Sequence, residues 1–125
     1  MIHETNNSFL EYDDHIMYVR LKEGAEITIE SMREQYSAQE TMVGKEIYSV
    51  LVDARNNVHV RSEARKFMAE YNPVNRRATA ILTDKNLATR IIANFYLKFN
   101  NPVVRTQIFK REDKAVAWLK DCFSS

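Results

Sequence analysis

The run Ile47-Tyr48-Ser49-Val50-Leu51-Val52-Asp53 is the strongest indication of the fold in this sequence. Residues 47–52 are almost all apolar and are followed by a carboxylate, whereas a strand with one face in water alternates apolar and polar residues. A short unbroken run of this kind is typical of a central strand that helices cover on both faces. We therefore expect residues 47–52 in the middle of a sheet, with helices on either side.

A β-hairpin and a helix are predicted before this strand. Ser8–Tyr12 and His15–Lys22 are rich in aromatic and β-branched residues, and Asp13-Asp14 between them suits a tight turn. Thr28 is placed to cap the following helix, because its hydroxyl can accept a hydrogen bond from an amide of the first turn. The predicted buried face of that helix comprises Ile29, Met32, Tyr36 and Val43.

Helical and strand patterns alternate after the central strand. Helices stop before Asn72-Pro73 and Asn101-Pro102, because proline disfavours the helical conformation in the residue before it. Strands are predicted at residues 78–83 and 103–109, the second at a sheet edge because polar residues occupy alternate positions. Three helices are also predicted, each with one apolar face toward the sheet. The inward face of the first comprises Ala64, Phe67, Met68 and Tyr71, and that of the third comprises Ala115, Trp118, Leu119 and Cys122. The second helix, from about 85 to 100, has the widest apolar face: Leu87, Ala88, Ile91, Ile92, Phe95 and Phe99.

These patterns give the order β-β-α-β-α-β-α-β-α, which predicts an α/β fold with a mixed sheet and right-handed crossovers. At 125 residues the chain is one domain, placed at 1–125 with a core of about 8–123. A net charge of +1 provides no overall field to attract nucleic acid, so none is expected as a partner. Because no apolar run approaches the roughly 20 residues that span a bilayer, and no signal peptide is visible, we expect no integral membrane association and a cytoplasmic location.

Four stretches carry a resemblance to a known fold: Tyr48 to Arg55, Ser62 to Arg65, Ala88 to Phe95 and Ala115 to Leu119. Together with the element order, they resemble the SpoIIAA-like fold of STAS domains, the anti-sigma-factor antagonists, and more loosely the lipid-binding CRAL-TRIO class. The chain looks most like small stand-alone bacterial STAS-like proteins. The resemblance implies a non-catalytic module that regulates by binding another protein.

The same resemblance implies a phosphorylation site. STAS antagonists are phosphorylated on a Ser or Thr where the helix after the central strand begins, and Ser62 falls near that position. Helix N-terminal amides accept the added phosphate, and its charge disrupts partner docking. In this chain Arg61 stands where an acidic residue is usual, and the glycine after the serine is missing. The structural alternative is that Ser62 caps the helix and Glu63 complements its dipole.

Asp53, Arg55 and His59 follow the central strand, at the sheet end where open α/β proteins bind ligands. They are candidates for a ligand or partner loop, and a weaker alternative is an enzyme that uses all three. A receiver domain is another alternative, since Asp53, Thr83 and Lys110 fall at successive strand ends. A receiver also needs an acidic pair at the end of its first strand to hold a divalent cation, and here Asp13-Asp14 lies in the hairpin turn.

The sequence contains no motif that indicates another catalytic site or a cofactor site. The three histidines and the single Cys122 lack metal-ligand spacing, so no metal is expected. No G-x-S-x-G elbow or glycine-rich phosphate loop is present. We therefore expect no enzyme activity and no cofactor.

Two surfaces are predicted to contact partners. A basic patch for an acidic partner or a phosphate-bearing ligand would comprise Arg61, Arg65, Arg76 and Arg77, although interspersed glutamates also fit a solvated helix face. Tyr96 and Leu97 fall outside the apolar stripe of their helix, which predicts an exposed surface for a homodimer. The edge strand offers a second route to self-association.

A binder of a small apolar or anionic ligand, similar to CRAL-TRIO proteins, is the main functional alternative. The ligand would lie between the stripe Leu87 to Phe99 and the sheet. This function requires a cavity of roughly a few hundred cubic ångströms, whereas a pure interaction module is packed solid.

Overall fold

The structure is a computed structural model that describes residues 1–83 and 96–124. A six-stranded mixed sheet has the order β1-β2-β3-β5-β7-β8, and β4 and β6 form a separate two-stranded ladder. The strands are β1 (Ile2–Glu4), β2 (Ser8–Asp13), β3 (Ile16–Leu21), β4 (Glu26–Ile27), β5 (Tyr48–Asp53), β6 (His59–Val60), β7 (Arg76–Leu82) and β8 (Thr106–Phe109). The described helices are α1 (Ile29–Val43), α2 (Ser62–Glu70) and α3 (Glu112–Ser124), with a π-helical turn at Tyr96–Asn100.

The central position of β5 confirms the main prediction from the sequence. This strand pairs in parallel with β3 on one side and with β7 on the other. Its residues Tyr48, Val50 and Leu51 are at most 1% exposed, as expected for a strand covered on both faces. Ile47 lies before the strand and is 41% exposed, so the apolar run begins one residue before the strand.

The predicted hairpin is also confirmed, with its turn shifted by one residue. Strands β2 and β3 pair antiparallel from Ser8 opposite Leu21 to Asp13 opposite Ile16. The two turn residues are therefore Asp14 and His15, and both have positive φ, as the commonest two-residue hairpin turn requires. His15 was predicted to open the second strand, and the structure places it in the turn.

The two faces of the sheet pack against different helices. On one face, Ala78, Ala80 and Leu82 of β7 form a cluster with Ala115 and Leu119 of α3. The opposite face packs against α1 and α2, with a core that includes Met17, Val19, Met32, Tyr36, Tyr48 and Val50. Side chains alternate between the two faces along each strand, so neighbouring residues of β5 and β7 contact different helices.

A β-bulge interrupts this alternation in β7. Tyr48 pairs with Arg76, and Val50 pairs with Thr79. Between these two pairs the chain advances two residues in β5 and three residues in β7. One extra residue in β7 therefore faces this part of β5, and a bulge of this kind redirects the side chains on either side of it. As a result, Arg76 lies on the same face as Thr79 and Ile81, beneath α1.

The prediction for the segment between β7 and β8 is only partly covered. Leu87, Ala88, Ile91, Ile92 and Phe95 of the predicted helix lie outside the described residues. Its last five residues form the π-helical turn. Strand β8 begins at Thr106 rather than at residue 103, and among the described strands it lies at the sheet edge, as predicted.

Thr28 caps α1 as predicted, through a reciprocal pair of hydrogen bonds. The Ser31 amide donates to Thr28 Oγ1 at 3.1 Å, and the Thr28 amide donates to Ser31 Oγ at 2.9 Å. This capping box satisfies two amides that would otherwise lack a partner at the helix start.

Replacing Thr28 with Ala should lower the free energy of unfolding by about 1 kcal/mol, because the cap hydrogen bond is lost. Thr41→Ala is the matched control, because Thr41 is exposed in the last turn of the same helix. Its hydroxyl donates only to the Ser37 carbonyl oxygen within that helix. Urea unfolding followed by circular dichroism measures both variants. Equal losses in the two would show that the capping box does not stabilise the fold.

Candidate functional site

Asp53 lies at the carboxyl end of β5 and is the buried centre of a partly exposed hydrogen-bond cluster. It is 7% exposed. The Arg55 side chain donates to it twice, from Nε to Oδ1 at 2.9 Å and from Nη2 to Oδ2 at 2.8 Å, and the Arg55 amide donates to Oδ1 at 3.1 Å. The sequence prediction that these two residues lie together at this end of the sheet agrees with this geometry.

Two further residues join this cluster that the sequence analysis missed. Arg20 donates from Nη1 to Asp53 Oδ2 at 3.1 Å, and it also forms two bonds to Glu112, at 3.0 and 3.2 Å. Glu112 lies 3.6 Å from Arg55 Nη2 as well. Two carboxylates and two guanidinium groups therefore alternate and join β3, β5 and the start of α3. We call these four residues the Asp53 cluster.

The electrostatics of the Asp53 cluster keep its central carboxylate ionised. Burial alone would raise the pKa of Asp53, but the hydrogen bonds from Arg55 and Arg20 outweigh it and lower that pKa below its usual range. A carboxylate held by two arginines is a poor proton acceptor at neutral pH. The geometry is therefore suited to holding α3 against the sheet rather than to acid–base catalysis.

His59 and Ser62 lie apart from the Asp53 cluster. His59 is exposed on β6, where it pairs with Glu26 of β4. Ser62 is exposed as the first residue of α2, and Arg61 is the N-cap, with no side-chain capping bond. A capping residue directly precedes its helix, whereas Ser62 is the first residue within α2. The prediction that Ser62 caps the helix is therefore wrong. Glu63 does lie in the first turn.

The four arginines of the predicted basic patch have different environments. Arg61 pairs with Glu26, and Arg65 donates to the Val60 carbonyl oxygen at 3.0 Å. Arg77 is exposed, whereas Arg76 is half-buried beneath α1. Arg76 therefore does not belong to a surface patch, because the bulge directs it inward.

Arg76 is surrounded by three tyrosine rings. Its guanidinium carbon lies 5.5 Å from the ring centre of Tyr36, 5.6 Å from that of Tyr48 and 5.1 Å from that of Tyr71. It donates to Gln39 Oε1 at 2.8 Å and to the Tyr48 hydroxyl at 3.3 Å. We call Arg76 with these three tyrosines the Arg76 cage.

Two buried glutamines of α1 support this cage and were missed by the sequence analysis. Gln39 Nε2 donates to Gln35 Oε1 at 3.0 Å, which leaves the Gln39 oxygen free to accept from Arg76. Gln35 is 4% exposed and Gln39 1% exposed. Both lie at helical spacing with Met32 and Tyr36, so polar residues inside a predicted apolar stripe were the available signal.

A cavity of about 130 Å³ lies between the sheet and helices α1 and α2, next to the Arg76 cage. Its walls are mostly apolar, and the described lining includes Ile27, Met32, Val50, Val52, Met68, Ile81 and Val104. Tyr96 also lines it and is only 8% exposed, so the prediction of an exposed Tyr96 is wrong. The Leu97 side chain lies outside the described residues.

Burial keeps Tyr36, Tyr71 and Tyr96 in the neutral form. It raises the pKa of Tyr96 to about 12, although the charge of Arg76 acts in the opposite direction. Burial also raises the pKa of Tyr36 and of Tyr71 above the usual value. At neutral pH these side chains are therefore phenols, which can donate hydrogen bonds beside the cationic Arg76.

The receiver alternative does not fit the described residues. Asp53 is bound by arginines, and Thr83 is fully buried with no hydrogen-bond partner for its hydroxyl. Within residues 1–83 and 96–124, no three His, Cys, Asp or Glu residues are grouped so that they could hold a metal ion. None of the described helices is long and apolar enough to cross a membrane.

Asp53→Asn should reduce the free energy of unfolding by about 2 kcal/mol, because charge-assisted hydrogen bonds from two arginines are weakened in a buried site. Asp113→Asn is the control: its ion pair with Arg111 is more than half exposed, and its loss should change stability by less than about 0.5 kcal/mol. Urea unfolding at pH 7 measures both.

The pH dependence of stability gives a second readout. The folded pKa of Asp53 is lowered, so its contribution is complete above the unfolded pKa of about 3.9 and is lost as the pH falls through the folded value. Between about pH 5 and pH 2, wild-type stability should therefore fall more steeply than that of Asp53→Asn. Parallel curves would contradict the role of the Asp53 cluster.

Comparison with solved structures confirms the SpoIIAA-like fold. An anti-sigma factor antagonist from Mycobacterium paratuberculosis aligns with a TM-score of 0.60 and 15% sequence identity, over 91% of this chain and 93% of that one. An uncharacterized protein of the DUF3478 family with a SpoIIAA-like fold, from Shewanella loihica PV-4, aligns with a TM-score of 0.51 and 15% identity, over 95% and 90% of the two chains.

Comparison of the sequence itself gives the family. A search among curated proteins finds no match. One family model, that of a domain of unknown function (DUF7793), matches residues 10–122 and thus nearly the whole chain. The protein with the Asp53 cluster on one face of its sheet and the Arg76 cage on the other therefore belongs to the DUF7793 family.

Proposed function

We propose that this protein is a non-catalytic regulatory module of the STAS type that acts in the cytoplasm by binding another protein. The observation that carries the proposal is the pairing within the Asp53 cluster. The carboxyl end of β5 is where an α/β enzyme presents its reactive groups, and here Asp53, Arg55, Arg20 and Glu112 bind one another. The shared fold with an anti-sigma factor antagonist supports the same function.

Ser62 is the proposed regulatory position. It is exposed and begins a nine-residue helix, so a phosphate there would meet free amides of the first turn. Phosphorylation would also add a charge of about −2 to an exposed surface, which is enough to prevent a fitted partner from docking.

Self-association through the sheet edge is the second part of the proposal. Strand β8 is an edge strand among the described residues, and Val103, three residues before it, is 60% exposed. An exposed edge presents unpaired backbone groups to a second copy, as in β-strand addition. Sedimentation velocity should show a dimer that dissociates on dilution. A monomer at every concentration measured would contradict this part.

A second candidate function is the binding of a small apolar or anionic ligand. The cavity beside the Arg76 cage favours it. At about 130 Å³ this cavity is smaller than the few hundred cubic ångströms that the sequence analysis required, so it fits only a small ligand.

Ser62→Glu should strongly reduce capture of the regulated partner, because a fixed negative charge at the start of α2 imitates part of the effect of phosphorylation. The measurement is affinity purification of the tagged full chain from its native cells, with proteins quantified by mass spectrometry. Wild type and Ser62→Ala should retain one protein in stoichiometric amount, and Ser62→Glu should retain at least about tenfold less.

Ser37→Glu is the matched control, since Ser37 is an exposed serine of α1 and the same charge is added away from α2. It should retain the partner as wild type does. Equal capture by Ser62→Glu would contradict the role of Ser62, and the absence of any stoichiometric protein would contradict the proposed function itself.

A further inference from the structure

Arg76 is a half-buried cation whose described contacts are all with neutral groups. It donates to the Gln39 side-chain oxygen and the Tyr48 hydroxyl, and no carboxylate of the described residues lies within ion-pair distance of it. By contrast, the half-buried Arg20 and Arg55 each bind carboxylates of the Asp53 cluster. Arg76 thus retains guanidinium N–H groups and a full charge without a counter-ion.

The fold directs this charge inward rather than leaving it in water. The bulge in β7 places Arg76 beneath α1, while its neighbour Arg77 stays exposed. Burying a cation without a counter-charge is unfavourable, and the three tyrosine rings compensate only in part. An anion on the guanidinium would provide the missing charge and use the remaining donors.

The space beside Arg76 accepts an apolar group of limited size. Its volume of about 130 Å³ is close to the roughly 150 Å³ of an engineered apolar cavity that takes up benzene. The Thr83 hydroxyl, in the same wall, is fully buried and makes no hydrogen bond within the described part of the chain, but it lies seven residues beyond Arg76, near the opposite end of β7. An apolar space of this size with a cation at one end matches a ligand that has an apolar body and a single anionic group.

We propose that Arg76 binds the carboxylate of a small amphipathic monocarboxylate whose apolar body, about as large as a phenyl ring or a pentyl chain, fills this cavity. The inference rests on the second candidate function and gives it a ligand class and a binding residue. A guanidinium fork matches the two oxygens of a carboxylate. A single arginine in an apolar site neutralises a monoanion, whereas a phosphate dianion would remain half uncompensated.

The test is an NMR titration of the ¹⁵N-labelled full chain with phenylacetate and with hexanoate. Both should bind saturably, with shifts at Tyr36, Tyr71 and the strands that line the cavity. The neutral phenylacetamide should bind at least about tenfold more weakly, because charge-assisted hydrogen bonds are lost. Acetate, which has the charge without the apolar body, should cause no saturable shift.

Two arginine variants test whether binding depends on Arg76 itself or on any positive charge nearby. Arg76→Gln should weaken phenylacetate binding at least about tenfold and leave phenylacetamide unchanged. Arg77→Gln, the exposed neighbour on the same strand, should bind as wild type does. If Arg76→Gln does not fold, the wild-type comparison of phenylacetate with phenylacetamide still decides the proposal.

Three results would overturn the proposal: no saturable binding of either acid, equal affinity for phenylacetate and phenylacetamide, or tighter binding of phenyl phosphate than of phenylacetate. All are measured on the isolated chain without a protein partner. Failure here therefore leaves the regulatory function standing, and loss of the partner in the Ser62 experiment leaves this site untouched.

Discussion

The parallel pairing of β5 with both β3 and β7 sets the positions of the helices on both faces of the sheet and of the polar groups beneath them. It buries β5 on both faces, so that Tyr48 and Val50 contact the core beneath α1 while Leu51 packs with the cluster beneath α3. Because side chains alternate along a strand, each face receives its own set of polar groups. Asp53 falls on the α3 side, and Arg76 falls on the α1 side because of the bulge.

The charged side chains on the two faces of the sheet have different partners. On the α3 side, two carboxylates and two guanidinium groups satisfy one another within one cluster, which leaves little capacity for binding anything else. On the α1 side, Arg76 contacts tyrosine rings and the side-chain amide of Gln39, and no carboxylate among the described residues forms an ion pair with it. This arrangement supports the proposed binding function, because the two carboxylates of the Asp53 cluster are already paired with arginines and are poorly suited to acid–base chemistry.

Much of the fold follows from the sequence, because long periodic segments dominate it. The central strand, the hairpin and the start of α1 at Thr28 were all predicted from apolar spacing and turn residues. The short strands β1, β4 and β6 were missed, since two or three residues have no periodicity. Arg76 was assigned to the surface because the strand was predicted to begin at residue 78, whereas it begins at Arg76 and contains a bulge that has no signature in the sequence. Glu112 was missed because its partners are distant in sequence.

The hollow on the α1 face of the sheet ends at Arg76. Diffraction from a crystal of the protein pressurised with xenon can detect this hollow, because xenon enters apolar cavities of this size. We predict a xenon atom between the sheet and α1, in contact with Val50, Ile81 and Met32. A crystal that takes up no xenon at this position would show that this face is closed and that no apolar ligand fits beside Arg76.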